Sequence, residues 1–230
     1  SQVVQSAREF ITKVASLREA GLTSKAAFVL LRAYSQGHVT HLLRANYEHS
    51  GWAKQFDDTL VDGLEQLLGD VLDEGQREQC FLRLADGGLG FNSAQQAQEA
   101  AYLGSWALTL KDVASSLGVS SWQTFRARCA PLAASLDEAE AKMIEQSDGM
   151  LQPVDWVGLL SHPQGKLQSF WSAKLKETRK EKLMQELDQD DRVDLRSAGG
   201  PGAGGFLEVP TPFEDEVLKP MPEKHFSTML

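Results

Sequence analysis

Phe56-Asp57-Asp58-Thr59-Leu60-Val61-Asp62-Gly63-Leu64-Glu65-Gln66-Leu67-Leu68 decides the fold. Its apolar members recur every three or four residues and continue to Val71 and Leu72. That spacing draws one stripe along an α-helix and fits no strand. Ser50 stands where an N-cap belongs, and Gly75 where such a helix stops. The same punctuation extends upstream. Ser6-Ala7-Arg8-Glu9 spells a capping box ahead of Phe10, Val14 and Leu17, with Gly21 as the stop. Thr23 opens a helix through Phe28, Leu31 and Tyr34 to about Gly37, and Val39, Leu42 and Leu43 make a short third. Downstream, Ser93 with Gln96 starts a helix through Leu103, Trp106, Leu110 and Val113 to Leu117, with Gly118 behind it. Ser120 with Gln123 and Ser135 with Glu138 open two more, the second reaching about Ser147. Pro153 and Pro163 mark Gly149 to Gly165 as a connecting loop. A charged helix is expected over 166–187 and a final amphipathic turn over Val193 to Ala198. No segment alternates with period two. The pattern predicts an all-α protein with its main core within residues 6 to 117 and a looser tail from Gly199.

Composition narrows the class. The 230 residues are 42% apolar, ordinary for a globular chain. No run reaches the roughly 18 to 20 apolar residues that a bilayer-spanning helix needs. Ser1 to Phe10 lacks a charged-then-apolar leader, so a cytoplasmic or nuclear location and no membrane partner are expected. Cys80 and Cys129 are too few for a disulfide framework or a cysteine zinc site and are expected to pack as small hydrophobes. No cofactor is expected.

Charge is segregated along the chain, although the net is -9. The first 44 residues carry Arg8, Lys13, Arg18, Lys25, Arg32 and Arg44 against Glu9 and Glu19. The stretch 57–78 is acidic, and the 166–187 helix is basic again, with Lys174, Arg179 and Lys180 as its candidates for contact. Such cations suit a phosphate backbone, but charge clusters on helices are more often solvated faces laced by i,i+4 pairs.

Several motifs fail on context. Phe56-Asp57-Asp58 has the composition of a metal-binding aspartate pair, yet it lies on the amphipathic helix, so a solvated face is expected. Gly200-Pro201-Gly202-Ala203-Gly204-Gly205 spells a dinucleotide fingerprint without the strand before it or the helix after it. His38, His41 and His49 lack a fourth ligand at metal spacing. No catalytic residue and no metal ligand is assigned.

Three landmarks then occur in order. They are Val39-Thr40-His41-Leu42-Leu43-Arg44; Cys80-Phe81-Leu82-Arg83-Leu84-Ala85-Asp86-Gly87-Gly88-Leu89-Gly90-Phe91; and Ala100-Ala101-Tyr102-Leu103-Gly104-Ser105-Trp106-Ala107. In order and spacing they resemble the region just beyond the polymerase palm of LINE-type (non-LTR) retrotransposon reverse transcriptases. Ser197 to Leu207 and Pro222-Glu223-Lys224-His225-Phe226 look like later landmarks of related reading frames. The resemblance implies a thumb-like helical bundle over 1–118, a helical connector over 119–198 with a basic helix at 166–187, and a Gly/Pro-rich tail over 199–230 with a truncated terminal helix. It implies a non-catalytic fragment holding RNA or DNA duplex weakly and without sequence preference, beside an upstream palm. Gly87, Gly88 and Gly90 are expected to form a tight turn. A helical protein-interaction or scaffold domain with no nucleic-acid role is the other reading of the same residues.

Overall fold

A computed structural model describes residues 1–37, 39–47 and 51–205. The helices are α1 (Gln2–Glu19), α2 (Ser24–Gly37), α3 (Thr40–Ala45), α4 (Trp52–Leu68), α5 (Glu74–Cys80), α6 (Ala94–Ser116), α7 (Trp122–Arg128), α8 (Ala130–Gln146), α9 (Trp156–Ser161), α10 (Leu167–Glu186) and α11 (Gln189–Ala198). A 3-10 turn covers Leu84–Asp86. Among the described residues there is no strand, so the fold class is all-α.

Backbone packing divides the chain into two compact units. The first is drawn from the described parts of Ser1–His38, Trp52–Ser93 and Lys182–Leu230, the second from those of Val39–Gly51 and Ala94–Glu181. The linear division at 118 and 198 is therefore not the one the packing makes. Each unit gathers segments distant in sequence.

In the first unit α1 packs on α4 and α2, and α2 also packs on α4. Val4, Ala7, Ile11 and Val14 face in from α1; Ala27, Phe28 and Leu31 from α2; Phe56, Leu60, Val61 and Leu64 from α4. Phe10 stacks on Tyr34 at 4.1 Å between ring centroids, and Tyr34 on Phe56 at 6.1 Å. Leu82, Leu183 and Leu195 form a smaller cluster with Met184 and Leu187 against it.

The second unit is built around α6, which contacts α3, α8 and α9. Its buried residues include Ala100, Tyr102, Leu103, Ala107, Leu110 and Ala114. Apolar residues point inward on several sides of this helix, as a helix enclosed by neighbours requires. Phe125, Leu136, Met143, Trp156, Leu159 and Trp171 complete that core. The main core expected within 6–117 is thus too narrow, because residues as late as Leu175 are buried in this cluster.

Local boundaries follow the capping chemistry, with corrections. α1 starts at Ser1, whose hydroxyl accepts from the Val4 amide, so Ser6 lies inside the helix and caps nothing. Buried Val4 and Ala7 hold the first turn in place, whereas Leu17, expected inside, is 48% exposed. Thr23 does accept from Ala26 N at 3.2 Å ahead of α2. α4 ends at Leu68, and Gly75 lies within α5, which Asp73 and Gln76 open as a reciprocal capping box. α7 is capped by Ser121, one residue beyond the expected Ser120. α8 starts at Ala130 with Pro131 in its first turn, where proline's fixed φ and missing N–H are tolerated; Ser135 is interior. The expected loop 149–165 contains α9, capped by Asp155. The tail's first residues return to the 3-10 turn, with Gly200 N donating to Ala85 O at 2.9 Å. Ser50, His38, His49, Phe206, Leu207 and the 222–226 landmark lie outside the described residues.

Candidate nucleic-acid interface

The nominated cations fall into both units. Arg8, Lys13, Arg18, Lys25 and Arg32 belong to the first; Arg44, Lys174, Arg179 and Lys180 to the second. On α1, the spacing of five residues turns successive cations by about 140°, at roughly 100° per residue. Arg8, Lys13 and Arg18 therefore do not form one stripe. Arg18 points past the helix end, where its guanidinium donates to Leu22 O at 2.9 Å in the loop between α1 and α2. It also lines a cleft of about 270 Å³ with Ile11, Val14, Leu31 and Leu67.

Lys25 and Arg32 are seven residues apart on α2, within about 20° of one another around the axis. They are the nominated pair that shares a flank. Arg32 lies against the glycine loop, so close that a Cβ on Gly90 would come within 3.0 Å of its Nε. That side of α2 also reaches the loop elsewhere. Asn92 N donates to Ser35 Oγ at 3.1 Å, Gln36 Nε2 donates to Gly90 O at 3.4 Å, and Phe28 meets Phe91 edge-on at 5.7 Å.

The loop is a tight turn. Gly87 and Gly90 have φ of 85° and 72°, conformations that cost an L-residue about 1 kcal/mol or more. Gly88 is required for another reason: a Cβ there would meet Leu82 and the Gln79 carbonyl, the latter 2.6 Å away.

In the second unit Arg44 Nε donates to Gln168 Oε1 at 3.0 Å. Gln168 in turn sits against α6 at Gly104, where a Cβ would be 2.5 Å from its own Cβ. On α10, Lys174 pairs with Glu177 at 2.6 Å. Arg179 and Lys180 are adjacent and so diverge by about 100°. The three nominated cations of α10, Lys174, Arg179 and Lys180, do not converge.

The aspartate pair separates by burial, which corrects the expectation of a solvated face. Asp58 is half-buried, its side chain 48% exposed, and it pairs with Lys54 at 2.9 Å. Asp57 is 4% exposed and accepts from the Ser93 hydroxyl at 2.5 Å. Cys80 is buried, donates to Gln76 O, and has its thiol pushed up to about 12 by burial. Cys129 is half-buried. Among the described residues no three His, Cys, Asp or Glu side chains are grouped to hold a metal ion. No described helix is long and apolar enough to cross a membrane.

One buried charge-bearing residue gave no sign in the sequence. Glu99 sits in Gln95-Gln96-Ala97-Gln98-Glu99, which reads as a polar face, yet it is 1% exposed. Burial pushes its carboxyl above the ordinary carboxylate range, opposed by Gln98, its own backbone, Gln146 and Lys142.

Comparisons with protein-family models, with curated proteins and with solved structures give no match.

Proposed function

We propose that this chain is a non-catalytic region following the palm of a LINE-type reverse transcriptase, and that it contacts the backbone of primer–template duplex without reading sequence. Support comes from the packing of α3 on α6, the most extensive helix pair among the described residues. α3 carries His41-Leu42-Leu43-Arg44 and α6 carries Ala100 to Ala107. Two landmarks about sixty residues apart in sequence are the two sides of one seam. Small residues on α6 allow the approach, and Leu43 is 1% exposed within it.

The contact chemistry rests on Lys25 and Arg32, with Arg8 and Lys13 as outlying contributors. Backbone contact of this kind needs cations on helices and no base-edge readout. A net charge of -9 opposes long-range attraction, so affinity falls in the non-specific range of about 10⁻⁴ to 10⁻⁶ M at physiological salt. Fluorescence anisotropy of a labelled RNA–DNA hybrid across a salt series tests this.

A second reading, a helical protein-interaction module, is favoured by the divergence of Arg8, Lys13 and Arg18 around α1. It predicts no salt-dependent binding to duplex.

A further inference from the structure

Glu99 lies on α6 in the second unit and is 1% exposed. Gln98 Nε2 donates to its Oε1 at 2.9 Å. Its Oε2 is buried with no hydrogen-bond partner among the described residues. An ionised carboxylate has two oxygens that both demand donors, whereas a neutral acid asks for less. A buried, half-satisfied carboxylate is therefore a group whose charge the fold opposes.

Among the described residues the surroundings supply no unengaged counter-charge. From α8, Lys142 is the facing cation, but it pairs with Glu138 at 2.9 Å and lies over the Tyr47 ring at 5.4 Å from the centroid. Gln146, also on α8, is neutral; its side-chain hydrogen bond, like that from Gln98, favours the ionised form without bringing a charge. From the α3 side, Tyr47 packs on Tyr102 at 5.3 Å and is itself pushed up, mainly by burial. His41 and Arg44 of α3 are exposed, and Arg44 is engaged by Gln168. α9 brings no titratable side chain in its span Trp156–Ser161. α10 meets α6 at Gly104 through Gln168, which is uncharged.

We propose that the second unit closes on a protonated Glu99 and loosens along α3, α6 and α8 when that proton leaves. The charged form must either stay buried without a full set of donors or reach water by parting α6 from its neighbours. The sign follows from the neutral form being the one the fold prefers. The stabilisation is complete below the pKa that Glu99 has when unfolded, and it is lost as pH rises toward the folded value.

Glu99→Gln, a shape-matched stand-in for the neutral acid, gives the test in the full chain. Urea unfolding of wild type and variant is compared from about pH 4 to about pH 9. The wild type should match or exceed the variant at the acid end. It should then fall behind, its folding equilibrium weakening about tenfold for each unit by which the fold raises this pKa. Hydrogen exchange should place the loss in α3, α6 and α8. Curves that stay parallel across the range overturn the proposal. Should the variant not fold, carbon-13 titration of the wild-type Glu99 carboxyl decides: a midpoint above those of the exposed glutamates upholds the latch, and one among them overturns it.

Discussion

The Ser93 hydroxyl donates to Asp57 Oδ2 at 2.5 Å, joining the residue before α6 to the middle of α4, and both side chains are buried. Removing one partner of a buried hydrogen bond costs about 1–3 kcal/mol. Asp57→Ala should therefore lower unfolding free energy by about that amount. Asp58→Ala, one residue along and paired only at the surface, should cost about 0.5 kcal/mol or less. Urea denaturation of both variants checks the contrast.

The glycine loop gives a ranked series. Gly88→Ala forces a Cβ into Leu82 and the Gln79 carbonyl, which cannot move without breaking the loop. Gly90→Ala meets positive φ and the Arg32 guanidinium, a flexible group. The second should cost about 1 kcal/mol and the first clearly more. Thermal melts that reverse this order would contradict the placement of Gly88.

The two thiols should differ in reactivity. Cys80 is buried with its thiol pushed up to about 12, so little thiolate exists near neutrality. Cys129 is half-buried between α7 and α8. A thiol reagent at neutral pH should label Cys129 in the folded protein and Cys80 only as fast as the chain opens. Equal labelling of both would contradict the burial of Cys80.

Helix character and order were readable because period-3.6 stripes and caps are local: Thr23 and Gly118 stand where helices begin and end. Helix starts are ambiguous where a cap-like serine is interior. Ser6 and Ser135 have acidic residues three places on, and only tertiary packing distinguishes such a pair from a true capping box. α9 was hidden because six residues between prolines carry too little periodicity. The two-unit division could not be read at all, since it depends on which distant segments meet. Composition revealed the cations but not their direction. The five-residue spacing on α1 scatters Arg8, Lys13 and Arg18, and Arg18 bonds the loop that follows its helix.

That last point separates structural from binding cations. Arg18→Ala removes a bond to a carbonyl and should cost about 0.5–1.5 kcal/mol of stability while leaving any duplex affinity within about twofold. Loss of binding as large as that from Arg32→Ala would place Arg18 at the interface instead.

The central claim is tested most directly by titrating the full chain against a labelled RNA–DNA hybrid at several salt concentrations. Each phosphate contact contributes a slope of about -0.9 in log affinity against log salt, so four contacts give about -3.6. The account predicts weak, sequence-independent binding with such a slope. Replacing Lys25 and Arg32 together by alanine should flatten it by about two contacts' worth, equally for every duplex. Binding that ignores salt, or none at low salt, would contradict the nucleic-acid reading and leave the helical interaction module in its place.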